Sequence, residues 1–167
     1  METYTIFDIL SKAAIIAAGI FAAIQLVQIK RQRSRESALQ LLNSVQTPEL
    51  IEAMNIVYGM PLGLTKKEIE THLGNKLPKV MHMHMQLESI GLLVFKKEIK
   101  LELVTEFIRG PILLFWGSMK NYFFEFRKTK NDENYGEWVQ WLAEQVENKE
   151  FKKSTKPAHI AYKNWKS

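Results

Sequence analysis

AAIIAAGIFAAIQLVQI, residues 13–29, is a run of seventeen uncharged positions that ends on Lys30-Arg31-Gln32-Arg33-Ser34-Arg35. A helix needs about 20 residues, rising about 1.5 Å each, to cross a hydrocarbon core of roughly 30 Å. Seventeen is the lower edge of that range, and seven of these residues are Ala or Gly. The span lengthens backwards through Tyr4, Ile6, Phe7, Ile9 and Leu10, with the Lys12 ammonium reaching for the headgroups and Asp8 in the interface. A transmembrane anchor over 7–29 is therefore expected. A cleaved signal peptide would open on positive charge, whereas Glu2 and Asp8 precede Lys12 here. The competing reading is an Ala-rich helix buried in a soluble protein.

Cations at the end of an apolar span belong on the cytoplasmic side. Lys30, Arg31, Arg33 and Arg35 thus predict an inner-membrane protein with its amino terminus outside and its remaining residues in the cytoplasm. The same four side chains can bind anionic lipid headgroups, at about 1 kcal/mol each. Ala14, Ala18 and Ala22, with Gly19 and Ala23 beside them, form a small-residue face suited to close packing of membrane helices.

Net charge is +5, unevenly spread. Residues 1–35 carry +3, the tail 152–167 has five Lys and no acid, and the body 36–151 totals −3. A mildly acidic body with basic ends is not the footprint of a nucleic-acid binder. It suits a domain held against an anionic bilayer. The absence of Cys removes disulfides, thiol catalysis and zinc-thiolate sites together.

Beyond the anchor, Ala38, Leu41, Leu42 and Val45 recur at i, i+3, i+4 and i+7, predicting an amphipathic stalk over 30–46. Thr47-Pro48-Glu49 reads as the start of a helix with Leu50, Ile51, Met54, Val57 and Tyr58 as its buried stripe. After a loop at 59–63, Thr65-Lys66-Lys67-Glu68 matches a capping box opening a short helix that Gly74 closes. Leu77, Val80, Met83, Leu87 and Ile90 line a further helix, expected to end at Gly91. Residues 92–104 read either as a strand or as a turn into a helix from about 101 to 108, and Gly110-Pro111 reads as a break. Ile112, Phe115, Trp116, Met119, Tyr122, Phe123 and Phe126 form the clearest stripe, with Lys120, Asn121 and Arg127 opposite. A last helix carries Trp138, Trp141, Leu142 and Val146, and the aperiodic tail 152–167 reads as disordered. The fold class is all-α: a transmembrane helix continuing into a cytoplasmic domain of about five helices over 47–151.

Candidate chemistry is sparse. His82 and His84 in Met81-His82-Met83-His84-Met85 lie about 200° apart on a helix and cannot share a metal. His72 and His159 have no partner at ligand spacing, and no HExxH, P-loop, GxSxG or GxGxxG occurs. Metal-independent RNases of one helical type place a His four to six residues after an Arg, and none of the five Arg meets this. Glu68, Glu88, Glu102, Glu106, Glu125 and Glu137 are single carboxylates on helix faces, read as solvated. Residues 64–104 also suit a winged helix-turn-helix with 92–104 as the wing, but 78–90 offer only Lys79, His82 and Gln86 to DNA.

The order of ESALQLLNSVQTPEL (36–50), LESIGLLVFKKEI (87–99), GPILLFWGSMKNYFFEFR (110–127) and WVQWLAEQV (138–146) resembles a family of small bacterial and archaeal membrane proteins known as a domain of unknown function. The resemblance covers roughly residues 10 to 147. It implies an anchored helical cytoplasmic domain and transfers no catalytic residue. The resulting expectation is a non-enzymatic, single-pass protein without cofactor or metal, whose helical domain binds a protein partner or itself. Its other partners would be the bilayer and its anionic headgroups, and not nucleic acid. Alternatives are a membrane-tethered winged-helix regulator, an oligomeric pore, or an accessory protein of phage defence.

Overall fold

A computed structural model describes residues 2–148 and 158–166 of the chain. Every regular element among them is helical. The first helix, α1 (Glu2–Val45), joins the apolar run to the basic cluster and the stalk without a break. Five helices follow: α2 (Pro48–Tyr58), α3 (Lys66–Leu73), α4 (Leu77–Phe95), α5 (Leu101–Lys130) and α6 (Glu137–Glu147). A 3-10 turn at Gly74–Lys76 links α3 to α4, and a single helical turn, α7, covers Ala158–Ala161. The expected disorder of the tail falls partly on 152–157, outside the described residues. Two compact units divide the chain, residues 1–40 and residues 41–167.

Local chemistry starts α2 and α3 as the sequence predicts. Thr47 accepts a hydrogen bond from the Leu50 N–H, with Pro48 in the first turn, where its missing N–H costs nothing. Thr65 and Glu68 form the reciprocal capping box: the Glu68 N–H donates to Thr65 Oγ1 and the Thr65 N–H donates to Glu68 Oε2. Those hydrogen bonds from Thr65 hold the Glu68 carboxyl below its ordinary pKa.

The second unit buries one apolar core. The α4 helix lies against α2 and α6, and α5 against α6, α3 and α2. Its centre is the aromatic stripe of α5, with Ile112, Phe115, Met119 and Phe123 fully enclosed. Leu41 and Val45 of the stalk repeat belong to the same core.

Three expectations need correction, and the open choice at 92–104 is resolved in favour of a turn into a helix. On α2 the buried face turns toward Leu50, Ala53 and Val57, leaving Ile51 and Tyr58 exposed, because small Ala53 sits where the helix meets its neighbours. Gly91 does not end α4, which runs one turn further to Phe95. No strand forms in 92–104: these residues are the end of α4, a turn and the start of α5, so no wing is present. Gly110-Pro111 kinks α5 rather than breaking it. Pro111 has no N–H for the Phe107 carbonyl and its ring crowds that turn, so the distortion falls at Ile108 (φ −134°, ψ 23°) while the chain stays helical on both sides.

Candidate functional site

Ala14, Ala18, Gly19, Ala22 and Ala23 lie on α1 and are exposed, as are their bulky neighbours Ile15, Ile16, Ile20 and Phe21. A window of α1 between Ala14 and Val45 reaches a mean hydropathy of 1.5, and none of it is buried. By length and composition this one helix can cross a membrane. Lys30, Arg31, Arg33 and Arg35 are likewise exposed. Their spacing pairs Lys30 with Arg33 and Arg31 with Arg35 on neighbouring turns, and Gln32 Nε2 donates to Glu36 Oε1 at 2.9 Å beside them.

The helical unit holds a polar cluster that no sequence motif announces. His84 of α4 is only 2 % exposed. Its ring lies 4.7 Å from that of Phe123 and 5.3 Å from that of Tyr135. Neither ring nitrogen has a hydrogen-bond partner among the described residues, and the nearest carboxylate oxygen, Glu88 Oε1, is 3.8 Å away. Loss of hydration penalises the imidazolium and brings the His84 pKa down to about 4. His82, by contrast, is exposed and meets Gln86 one turn on. No trio of His, Asp or Glu that could hold a metal occurs among the described residues.

Glu88, one turn beyond His84, explains how α6 begins. Gly136 at its N-cap has no side chain to offer and sits in the left-handed region (φ 74°). The Val139 N–H, three residues on, donates instead to Glu88 Oε1 at 2.6 Å. A carboxylate of α4 thus caps α6 across the core, where helix-dipole and N–H groups favour negative charge. Burial nevertheless pushes the Glu88 pKa up, with the Val139 hydrogen bond opposing it. Glu125 of α5 similarly accepts the Lys66 N–H at the start of α3. Three of the six carboxylates read as solvated, Glu68, Glu88 and Glu125, therefore satisfy helix starts.

Arg127 and Asn121, expected on the solvent side of α5, also hold backbone. Arg127 Nε donates to the Tyr135 carbonyl at 2.7 Å and Nη1 to Gln140 Oε1 at 2.6 Å, fastening the loop before α6. Asn121 Nδ2 donates to the Leu64 carbonyl at 3.0 Å, fixing the loop before α3. A period-3.6 pattern cannot reveal these partners, which lie up to 57 residues away. Lys79 is paired with Glu52 of α2, both side chains half-exposed.

The His84–Glu88 arrangement gives a signed pH dependence. Between about pH 4 and 6.5 the unfolded chain binds a proton at His84 that the folded chain refuses, so stability falls as pH drops through this window. Glu88 acts oppositely, since its raised pKa costs stability as pH rises above the ordinary carboxylate value. His84 by itself costs about 3 kcal/mol between pH 7 and pH 4, and Glu88 offsets part of that loss. Thermal melts of His84→Phe, compared with the wild type across that range, should show this slope removed.

A model of the domain of unknown function DUF4760 matches residues 13–146, about four-fifths of the chain. The chain belongs to the DUF4760 family. The match runs from the apolar part of α1 through α6, so the DUF4760 region includes both the membrane-compatible helix and the helical core. Comparison with curated proteins and with solved structures finds no match.

Proposed function

We propose that this DUF4760 chain is a non-enzymatic, single-pass inner-membrane protein with its amino terminus outside. Its helical cytoplasmic domain docks on a protein partner or on a second copy of itself. The observation carrying this reading is the exposed apolar length of α1 between Ala14 and Ile29, directly followed by four exposed cations. Such a surface has no stable place in water, and hydrocarbon covers it without a further protein layer. The basic border sets the orientation. The face of Ala14, Ala18, Gly19, Ala22 and Ala23 supports self-association, because small side chains let helix backbones approach closely in lipid.

The test uses the full chain, tagged at its carboxyl end, in a bacterial host. Alkaline carbonate should leave it in the membrane pellet, and the tag should be protease-accessible only in inverted vesicles. Cross-linking in cells should yield a discrete higher-mass species, lost when Ala18→Leu and Gly19→Leu are combined. Release by carbonate overturns the anchor. A chain that stays in the pellet but runs strictly as a monomer, with no cross-linked partner, overturns the interaction role.

A further inference from the structure

The carboxyl-terminal segment carries apolar surface that the helical core does not use. Trp116, Trp138 and Trp141 are half-buried in the helical unit, whereas Trp165 is 73 % exposed. Tyr162 and Ile160, just before it, are 63 % and 54 % exposed. The Trp165 N–H donates to the Tyr162 carbonyl at 2.9 Å, closing a turn directly after α7. A turn of this kind brings its first and last Cα atoms within about 7 Å, so the two aromatic residues sit together at its ends.

The charge of the segment has one sign. Lys163 lies inside the turn and Lys166 follows it, both exposed, and neither pairs with a carboxylate among the described residues. From 151 onward the sequence holds five Lys and no Asp or Glu. Trp and Tyr combine an apolar body with a polar N–H or O–H, and they are favoured where hydrocarbon meets headgroups. Lys beside them gains from the negative potential of an anionic leaflet. An RNA strand also accepts aromatic rings and cations, but stacking has no use for Ile160 and a single turn offers no groove to follow the phosphates. In an anchored chain, moreover, docking on the bilayer is intramolecular, so a short motif suffices.

We propose that residues 160–166 form a second membrane contact, in which Ile160, Tyr162 and Trp165 enter the headgroup boundary of an anionic bilayer and Lys163 and Lys166 meet its acidic headgroups. This contact rests on the anchored reading of α1, which supplies the tether and sets which leaflet is met. Docking then holds the helical unit to the surface at both ends of its sequence, since the basic cluster 30–35 precedes it.

The chain has no Cys, so Asn164→Cys gives a single site for an environment-sensitive dye on the full chain. In nanodiscs of equal parts phosphatidylcholine and phosphatidylglycerol, its emission should shift to the blue and be quenched by lipid spin-labelled near the headgroup. In pure phosphatidylcholine it should stay near its value in water. Lys163→Gln with Lys166→Gln should weaken docking roughly thirtyfold, about fivefold per ammonium group. Tyr162→Ala with Trp165→Ala should abolish the blue shift although every charge is retained, which separates insertion from attraction alone. Both pairs are exposed, so the melting temperature of the helical unit should stay at the wild-type value and unfolding cannot imitate the result. Equal emission in the two lipids, or a shift that survives both pairs of substitutions, overturns the proposal. So does a shift produced by added RNA or polyglutamate and not by the anionic discs, which makes that polymer the partner. Carbonate release defeats the anchor and not this contact, because the dye on the released chain still reports it with added vesicles of the two compositions. A chain that stays in the pellet with an unshifted dye defeats this contact alone.

Discussion

Phe123→Ala is expected to lower the stability of the helical unit by about 4 kcal/mol, more than any other single truncation in the α5 stripe. The side chain is fully enclosed. Its ring lies within 6.1 Å of those of His84, Phe115, Trp116, Tyr122 and Tyr135, so it joins α4, α5 and the loop before α6. The same ring lies where a Cβ on Gly136 would be, 2.9 Å from Cδ1, which also bars a larger residue from the start of α6. Truncation removes apolar burial and leaves a cavity that rigid helices close only partly. A second consequence separates this cavity from others. Its wall includes the unpaired nitrogens of His84, so water can enter and hydrate the imidazole. The His84 pKa should then climb back toward 6.5, and the loss of stability between pH 7 and pH 4 should shrink. Melts at both pH values check this: a midpoint drop of about 15 °C at pH 7 is expected, with a smaller further drop at pH 4 than in the wild type. A variant as acid-sensitive as the wild type would show that His84 stays dry.

Gly91→Ala carries the second large effect, about 3 kcal/mol destabilising, and Gly91→Val a larger one. A Cβ built on Gly91 lies 2.5 Å from the Trp138 carbonyl oxygen and 3.0 Å from its carbonyl carbon. The obstacle is backbone, so no rotamer change relieves it, and α6 must move away from α4. That movement strips the Glu88 carboxylate from the Val139 N–H and loosens Val139, Leu142 and Ala143 from the core. Gly117→Ala in α5 provides the contrast. Its Cβ would meet only Leu62 Cδ2, at 3.7 Å, so the higher helix propensity of Ala should stabilise by about 1 kcal/mol. Urea titrations of both variants decide the matter. A Gly91→Ala midpoint at or above wild type would mean that the close α4–α6 approach does not limit stability.

Those two glycines show where local reading stops. Gly91 and Gly117 both look like interruptions in a helical pattern, and the sequence treats the first as a terminus. What separates them is a carbonyl 47 positions later in the chain, which no window reports. Glu88 and Arg127 repeat the point: each has the spacing of a solvated residue, and each satisfies backbone donors or acceptors supplied by a distant segment. His84 belongs here too, since its neighbours Met83 and Met85 alternate between core and solvent, and only the docking of Phe123 and Tyr135 closes over the ring.

The sequence by itself determined the features whose physics is local. The Thr47 and Thr65 caps, the aromatic period of α5 and the all-helical class depend on groups within a turn or two of one another, where spacing dictates geometry. The exposed apolar length of α1 and its basic border are equally legible, because hydrophobicity and charge add up along a helix whatever surrounds it. Tertiary structure alone decided which faces close on one another, that Pro111 bends α5 instead of ending it, and that a carboxylate of α4 starts α6. These depend on close packing and on finding partners for buried polar groups, and both are set by segments the chain brings together only when folded.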